Sequence, residues 1–285
     1  MMNLFHEAFN KLDEKNTLTY LLENQGWEIA MLGVCKSLNL NKVIGFSHAS
    51  TRYWDLRLFY DRKEYFDFSS LKLPIPDYLA VNSINAYETY INMGYPQKNI
   101  KNVESLRHLY LNGLLNNKKK FIKKDFYTIL ILGDYLEKNT YYQLELLNLL
   151  PEKLIKKINF IFKPHPACKI DLKIFKNLDI EKANQTIFEL LPKADSAYCS
   201  SFTSACIDAY ASGIPVIIPL DPQILNMSPL KDYKDVNFIR NCRDLEKVII
   251  KLSRKNNFSV SQRGIFNLST ELLSWKRLLY ENDFL

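Results

Sequence analysis

The segment from Asn159 to Leu220 constrains the fold more than any other part of the sequence. It contains an apolar strand that ends in KPHP (163–166), a second apolar strand that ends in SSFTS (200–204), a helix and a third strand. Strands separated by helical segments are typical of parallel sheets, because consecutive parallel strands need a crossover connection. The carboxyl ends of parallel strands share the edge where ligands bind, so we expect both motifs to face one crevice.

The same alternation covers the whole chain and restarts once. Predicted strands in the first part are Thr17–Glu23, Lys42–His48, Asp77–Ser83 and Ile100–Leu106. A polar, basic run follows, and Phe126–Gly133 is then a fully apolar strand of the buried parallel type. The pattern predicts an α/β fold with two Rossmann-like lobes and a cleft between them, the amino-terminal lobe being reduced. The expected boundaries are residues 1–115 for the first lobe, 116–125 for a linker, and 126–285 for the second lobe with the carboxyl-terminal helices.

The segments between and after these strands are predicted to form a lid and helices. Thr51–Leu73 is rich in aromatic and charged residues without a clean period, and is interpreted as an irregular lid over the crevice. Ser201–Ser212 is predicted to be a helix that Gly213 ends in a left-handed conformation. A long final helix is expected around Gln262–Tyr280.

Composition and chain ends favour an intracellular protein. No apolar run reaches the ~18 residues that cross a bilayer, and the first residues lack the basic-then-apolar build of a signal peptide. We therefore expect a cytoplasmic protein. The five cysteines are odd in number and widely spaced, which favours reduced thiols over disulfides or a zinc site. Free cysteines are usually core residues, which is the expected role here, and Cys199, directly before the serine pair, is the one whose position also allows it to line the site.

The formal net charge of +7 is concentrated in KKKFIKK (118–124). No nucleic-acid-binding motif accompanies this run, so nucleic acid is not an expected partner. Contact with an anionic membrane surface at the inner face of the cell membrane fits better, at about 1 kcal/mol per basic residue close to the lipid. A solvated linker is the alternative interpretation, and the sequence leaves both open.

Two motifs in the second lobe are candidates for binding phosphate. Prolines on both sides of His165 restrict its backbone, and its imidazole is suited to donating a hydrogen bond to a phosphate or a proton to a leaving phosphate. Ser200 and Ser201 stand at a strand-to-helix junction, where unpaired N–H groups attract anions, and Thr203 and Ser204 add hydroxyl donors. The alternatives are a structural histidine in a turn and serines that cap a helix.

These residues resemble those of a known family. KPHP, followed by CSSFTSACIDAYASGIPVI and PLDP, is similar to the carboxyl-terminal lobe of GT-B glycosyltransferases over about residues 126–254. More narrowly, it resembles bacterial enzymes with cytidine-activated donors, the sialyltransferases and Kdo transferases with HP and SS motifs, and related capsule and surface-polysaccharide proteins. DYLAVNSINAYETYINMGYPQKNIKNVESLRHLYL (77–111) resembles the inter-lobe end of the same families.

The resemblance implies a function and roles for particular residues. His165, Ser200 and Ser201 would contact the donor phosphate, and cytidine would be recognised around Gly133, Lys163 and Pro164. The implied reaction is inverting and independent of metal or other cofactors. It would transfer a nonulosonic acid such as sialic acid or Kdo from a CMP-sugar to a surface glycan or glycolipid acceptor.

Such transferases use a carboxylate of the first lobe as general base. The acidic-acidic-glycine motif of sialyltransferases is not present in this sequence, so the base is assigned by position. Glu23, at the end of the first predicted strand, is the first candidate for the base, and His48 and Glu28 are the next candidates. Glu28, inside an amphipathic helix, is expected to be an ordinary surface residue.

Two other functions stay open at this point. The first is transfer of a polyol phosphate from a CDP donor, as in teichoic-acid polymerases, which usually show an acidic residue beside the serines. Asp195, five residues before Ser200, matches that pattern poorly. The second is a non-catalytic lobe that binds nucleotide or glycan and supports a partner enzyme.

Overall fold

A computed structural model describes residues 1–12, 16–40, 42–58, 73–116, 126–254 and 265–280. The chain divides into two compact units. The first unit consists of residues 1–109 and 265–285, and the second of residues 110–264. The predicted linker at 116–125 and the predicted lid at 51–73 fall largely outside the described residues.

The described residues contain ten strands and ten α-helices in the alternation that the sequence predicted. The strands are β1 (Thr17–Leu21), β2 (Lys42–Ser47), β3 (Tyr78–Val81), β4 (Ile100–Asn102), β5 (Tyr127–Leu132), β6 (Ile158–Lys163), β7 (Ile180–Lys182), β8 (Ser196–Cys199), β9 (Val216–Pro219) and β10 (Asn237–Ile239). The helices are α1 (Met2–Phe9), α2 (Gly26–Ser37), α3 (Ile84–Asn92), α4 (Leu111–Asn116), α5 (Glu137–Asn148), α6 (Glu152–Ile155), α7 (Ile187–Leu190), α8 (Ala205–Ala211), α9 (Cys242–Ser253) and α10 (Leu273–Tyr280).

The first unit is built on a parallel sheet in the order β1-β2-β3-β4. Every residue of β2 is buried, as expected for a strand covered on both faces. Gly45 in β2 permits this close packing, since a Cβ there would lie only 2.7 Å from Leu22 Cδ1 and 3.2 Å from Pro76 Cγ. Gly94, directly after the C-cap of α3, has a left-handed φ of 85°, which glycine adopts without steric strain.

The second unit is built on a parallel sheet in the order β10-β9-β8-β5-β6-β7. Renumbered within the unit, this is the 3-2-1-4-5-6 order of the Rossmann fold, with β5 as its first strand. The strand order reverses between β5 and β8, and ligands of such sheets bind at the carboxyl edge of that switch point. Gly213 ends α8 with a φ of 82°, which confirms the predicted left-handed stop.

The final helix differs from its prediction in position and in partner. It begins at Leu273 and not near Gln262, directly after Leu272 with a left-handed φ of 55°. It belongs to the first unit, where the Trp275 ring packs edge-on against Phe46 with centroids 4.9 Å apart. The Glu104 carboxylate accepts the Trp275 N–H at 3.1 Å, and the Trp275 indole N–H donates to the Glu104 carbonyl at 2.9 Å. The predicted assignment of residues up to 285 to the second lobe therefore does not hold beyond residue 264.

Two further sequence expectations can be compared with the described residues. All five cysteines are free thiols, as predicted. No helix in the described ranges is long and apolar enough to cross a membrane.

Candidate functional site

The predicted motifs of the second unit meet at one sheet edge. Leu132 of β5 is the register partner of both Lys163 of β6 and Cys199 of β8. The loops that follow these three strands therefore start at the same level, with the β5 loop in the middle. This confirms that KPHP and SSFTS share the carboxyl edge, and it places SSFTS at the switch point of the sheet.

Asp134, which the sequence reasoning missed, connects these loops. Its carboxylate, 1% exposed, accepts the Ser200 hydroxyl, the Leu136 N–H at 2.9 Å and the Asn139 side-chain amide at 3.2 Å. Its own N–H donates to Thr140 Oγ1 at 2.9 Å. Hydrogen bonds to a buried carboxylate are charge-assisted and therefore strong. Asp134 thus ties the loop after β5 to the end of β8.

This contact changes how the SSFTS loop can serve a ligand. Ser200 is 2% exposed and its hydroxyl donates a hydrogen bond to Asp134, so this hydroxyl orients the loop. The Ser200 hydroxyl oxygen also accepts the Phe202 N–H at 3.4 Å, and Thr203 Oγ1 accepts the Ala205 N–H at 3.4 Å. These serine and threonine turns compete with helix, so α8 begins at Ala205 and not at Ser201 as predicted. Phosphate contact by Ser200, Ser201 and Thr203 stays a prediction.

His165 follows β6 and is half-buried. The Ala167 N–H donates to His165 Nδ1 at 3.2 Å, so the neutral ring carries its proton on Nε2. Tyr135, in the loop after β5, packs edge-on against the imidazole with centroids 6.2 Å apart. The arrangement fixes the ring and leaves Nε2–H as a hydrogen-bond donor suited to an anion.

Gly133, Lys163 and Pro164 lie where the β5 and β6 loops begin. The Gly133 N–H donates to the Lys163 carbonyl at 3.1 Å, which extends the strand pairing by one residue. A Cβ at Gly133 would approach the Phe162 ring to 3.2 Å. The Lys163 ammonium donates to the Asn184 carbonyl at 3.2 Å and is thereby held beside the loop after β7. Contact of these residues with a nucleobase stays a prediction.

Two residues considered from the sequence do not line this edge. Cys199 does not line the site, because it is fully buried, and burial raises the pKa of its thiol well above the ordinary value. Asp195 precedes β8 and accepts the Thr128 N–H at 2.8 Å, at the amino end of the sheet. The carboxylate beside Ser200 is Asp134, which is 66 positions away in sequence.

The first unit also gathers its predicted residues at one carboxyl edge. Glu23 and His48 follow β1 and β2, and the pairing between these two strands ends at Leu21 and Phe46. The Glu23 Oε1 and His48 Nε2 atoms are 3.8 Å apart, and the Glu23 side chain is 46% exposed. The His48 carbonyl accepts the Asn82 side-chain amide at 3.1 Å. A solvent-accessible carboxylate beside an imidazole is an arrangement that can take up and release protons.

Glu28 is not the surface residue that its helical position suggested. It is 2% exposed, and its carboxylate accepts the backbone N–H groups of Glu23, Asn24 and Gln25 at 3.0, 3.1 and 3.1 Å. As the third residue of α2 it completes a capping box with Gln25. The amphipathic pattern missed this because a carboxylate in a first helical turn can fold back over the helix end.

An ion pair between Arg57 and Asp55 lies in the same unit. Two nitrogens of the Arg57 guanidinium donate to the Asp55 carboxylate, Nε to Oδ1 at 2.9 Å and Nη2 to Oδ2 at 2.8 Å, and chiefly this hydrogen bonding lowers the pKa of Asp55. The Asp55 hydrogen bond is also the largest cause of the raised pKa of Arg57, to which the charge of Glu23 adds a smaller effect. Glu23 is therefore within electrostatic range of a guanidinium. Within the described ranges, no three His, Cys, Asp or Glu side chains form a group that could hold a metal ion.

Comparison with known proteins identifies the fold. No family model and no curated protein sequence matches the chain. Among solved structures, it is similar to a putative UDP-N-acetylglucosamine 2-epimerase from Listeria monocytogenes, with 12% identity, a TM-score of 0.59 and coverage of 98% of this chain and 76% of that one. A glycosyltransferase from Rickettsia africae gives 12% identity, a TM-score of 0.57 and coverage of 98% and 81%. MurG from Acinetobacter baumannii gives 10% identity, a TM-score of 0.57 and coverage of 96% of this chain and 77% of that one. The chain therefore has an α/β fold of the GT-B class, with two Rossmann-like units of which the amino-terminal one is reduced.

Proposed function

We propose that this protein is a glycosyltransferase that takes its sugar from a nucleotide-activated donor. The observation that carries the proposal is the meeting of three loops, after β5, β6 and β8, at one carboxyl edge of a Rossmann sheet within a GT-B fold, with the switch point between β5 and β8. Fold alone does not define a reaction, so the proposal depends on the groups in these loops and on the acid–base pair of the first unit.

The second unit is assigned the donor. His165 Nε2–H and the N–H groups of Ser201 and Ser204 bind the phosphate, because fixed neutral donors stabilise charge that develops as a phosphate leaves. The loops at Gly133, Lys163 and Pro164 contact the nucleobase. The finer assignment is a CMP-activated nonulosonic acid, which the HP and SS motifs favour.

The first unit is assigned the base. Glu23 takes the proton of an acceptor hydroxyl, and the acceptor oxygen attacks the anomeric carbon of the donor sugar. The bond from that carbon to the phosphate oxygen breaks, and its electron pair leaves with the nucleotide. A single displacement of this kind inverts the anomeric centre. His48, 3.8 Å from Glu23, is placed to support the carboxylate in proton transfer.

The structural neighbours favour a second candidate. Three of them are named as UDP-N-acetylglucosamine 2-epimerase or a putative form of it, and a Staphylococcus aureus protein, MnaA, was solved with UDP at a TM-score of 0.54. Applied to this chain, that chemistry would be epimerisation of a UDP-sugar without an acceptor. The Glu23 and His48 pair would then remove and return a proton of the sugar itself.

Nucleotide binding is the first test. Thermal unfolding is followed with CMP, CDP and UDP, because a nucleotide that binds only the folded protein raises the melting temperature. We expect CMP to give the largest rise. A larger rise with UDP would overturn the cytidine assignment, one with CDP would favour polyol phosphate transfer, and no rise with any of the three would refute a nucleotide-binding function.

Turnover is the second test. Release of CMP from CMP-N-acetylneuraminic acid and CMP-Kdo, and epimerisation of UDP-N-acetylglucosamine, are measured by chromatography. Glu23→Gln should lower the observed activity by about 100-fold or more, in the range typical of a lost general base. Glu7→Gln, the same change at an exposed residue of α1, should not. Nucleotide binding without turnover in any assay would favour the non-catalytic interpretation.

A further inference from the structure

We propose that Glu28 is a positioning residue, which holds the loop of Glu23 in its working geometry by accepting three consecutive backbone N–H groups. This inference rests on the proposed function, since it gives Glu28 its role through the base. It assigns a function to a buried carboxylate that takes part in none of the proposed reaction steps.

The contacts define a small enclosed turn. Glu28 Oε1 accepts from Glu23 at 3.0 Å and from Gln25 at 3.1 Å, and Oε2 accepts from Asn24 at 3.1 Å. Asn24 adopts a left-handed φ of 57°, which turns the chain so that successive N–H groups point inward. Both carboxylate oxygens are therefore used, and the backbone of residues 23–25 is wrapped around them.

The arrangement exceeds what a helix cap requires. A capping box needs one bond from the third-residue carboxylate to the N-cap N–H, and Glu189 makes this bond to Thr186 in α7 at 2.8 Å. Glu28 makes the equivalent bond to Gln25, and its bonds to Asn24 and Glu23 are additional. Burying a carboxylate costs free energy unless hydrogen bonds compensate, so the two additional bonds keep this one in place.

The additional bonds lie where the proposed chemistry needs rigidity. The Glu23 N–H is fixed by Glu28, while the Glu23 carboxylate lies 3.8 Å from His48 Nε2. Glu28 is 2% exposed, whereas the Glu23 side chain is 46% exposed. One carboxylate is thus placed to hold the turn and the other to meet an acceptor. Misplacing a catalytic group by about 1 Å can cost about 100-fold in rate.

The test is a double-mutant cycle on turnover. Glu28→Gln keeps one acceptor oxygen but presents an NH₂ group to the remaining N–H donor or donors, so it disturbs the turn with little change in volume. We expect kcat to fall about 10- to 100-fold, while KM for the donor changes by less than about threefold. This split is expected because the variant misplaces the base and leaves donor binding unchanged. In a Glu23→Gln background the same change should lower turnover by less than about twofold, because the base it positions is already missing.

Two control variants separate positioning from capping. Gln25→Ala removes the reciprocal half of the same capping box and leaves the acceptor oxygens of Glu28 in place. Glu189→Gln alters the capping box of α7. Both should lower stability slightly with kcat within about twofold of the wild type. A fall in kcat with Gln25→Ala equal to that with Glu28→Gln would reduce Glu28 to a cap and overturn the proposal.

A readout independent of activity completes the test. Amide hydrogen exchange of residues 23–25 is measured in the wild type and in Glu28→Ala, with CMP absent. We expect at least a tenfold faster exchange of these amides in the variant and little change in β2. Unchanged exchange would refute the positioning role whatever the reaction is. Lost turnover in Glu23→Gln together with normal turnover in Glu28→Gln would refute the inference and leave the proposed function standing.

Discussion

Acid should destabilise the first unit through one buried histidine. His108 is 3% exposed and stacks face-on against Phe266 with centroids 4.0 Å apart, and its Nδ1 is 2.8 Å from the Ser105 hydroxyl. Burial, and to a smaller extent the charge of Arg107, lower its pKa from 6.5 to about 4. The folded protein thus keeps this ring neutral at a pH where the unfolded chain protonates it.

The sign and size of the effect follow from that difference. The stabilisation is fully present above pH 6.5 and is lost as the pH falls towards 4, because the unfolded chain binds the proton first. One pKa unit corresponds to about 1.4 kcal/mol, so the complete loss is about 3 kcal/mol. At pH 5 the same relation gives a loss of about 2 kcal/mol relative to pH 7.5.

Tryptophan fluorescence makes this measurable on the first unit alone. All three tryptophans of the chain, Trp27, Trp54 and Trp275, belong to that unit. Urea unfolding followed by this signal at pH 7.5 and pH 5 gives the free energy of unfolding of wild type and of His108→Gln, which cannot titrate. The wild type should lose about 2 kcal/mol more than the variant. Equal losses in the two proteins would refute the buried neutral histidine.

Three further changes test other contacts. Asp134→Asn should lower the free energy of unfolding of the second unit by about 2 kcal/mol, measured by circular dichroism, because Ser200 and two amide donors lose a charged acceptor; an unchanged value would contradict the assigned network. Glu104→Gln should lower the free energy of unfolding of the first unit by about 2 kcal/mol, because it weakens the hydrogen bonds from the N–H groups of Trp275 and Ser274. An unchanged free energy of unfolding would show that α10 is held by packing alone. Cys242, half-buried, should react first with a thiol reagent, and faster reaction of one of the four buried cysteines would contradict the assigned burial.

The strands were predictable because each depends on local sequence. The run Phe126–Gly133 lies between Asp125 and Asp134, and the observed strand within it, Tyr127–Leu132, is one residue shorter at each end. The carboxyl edge followed from the same pattern, since KPHP and SSFTS each end a strand. These features need no knowledge of which strands are neighbours.

The missed features all depend on contacts distant in sequence or on a turn that folds back. The bond between Asp134 and Ser200 exists only because β5 and β8 are adjacent, and strand order is not encoded in either segment alone. Glu28 is buried because residues 23–25 wrap around it, although helical periodicity placed it outward. Trp275 joins the first unit across about 170 residues through Glu104, and no local pattern indicates this.

Calorimetric titration of CMP and UDP into the wild type and His165→Ala tests the central claim most directly. We predict that one of these nucleotides binds the wild type and that His165→Ala weakens its binding at least tenfold, or about 1.4 kcal/mol. The same change at an exposed histidine of α1, His6→Ala, should leave the affinity unchanged. Failure of both nucleotides to bind the wild type, or equal affinity in His165→Ala, would contradict the assignment of a nucleotide-sugar site to the carboxyl edge of the six-stranded sheet.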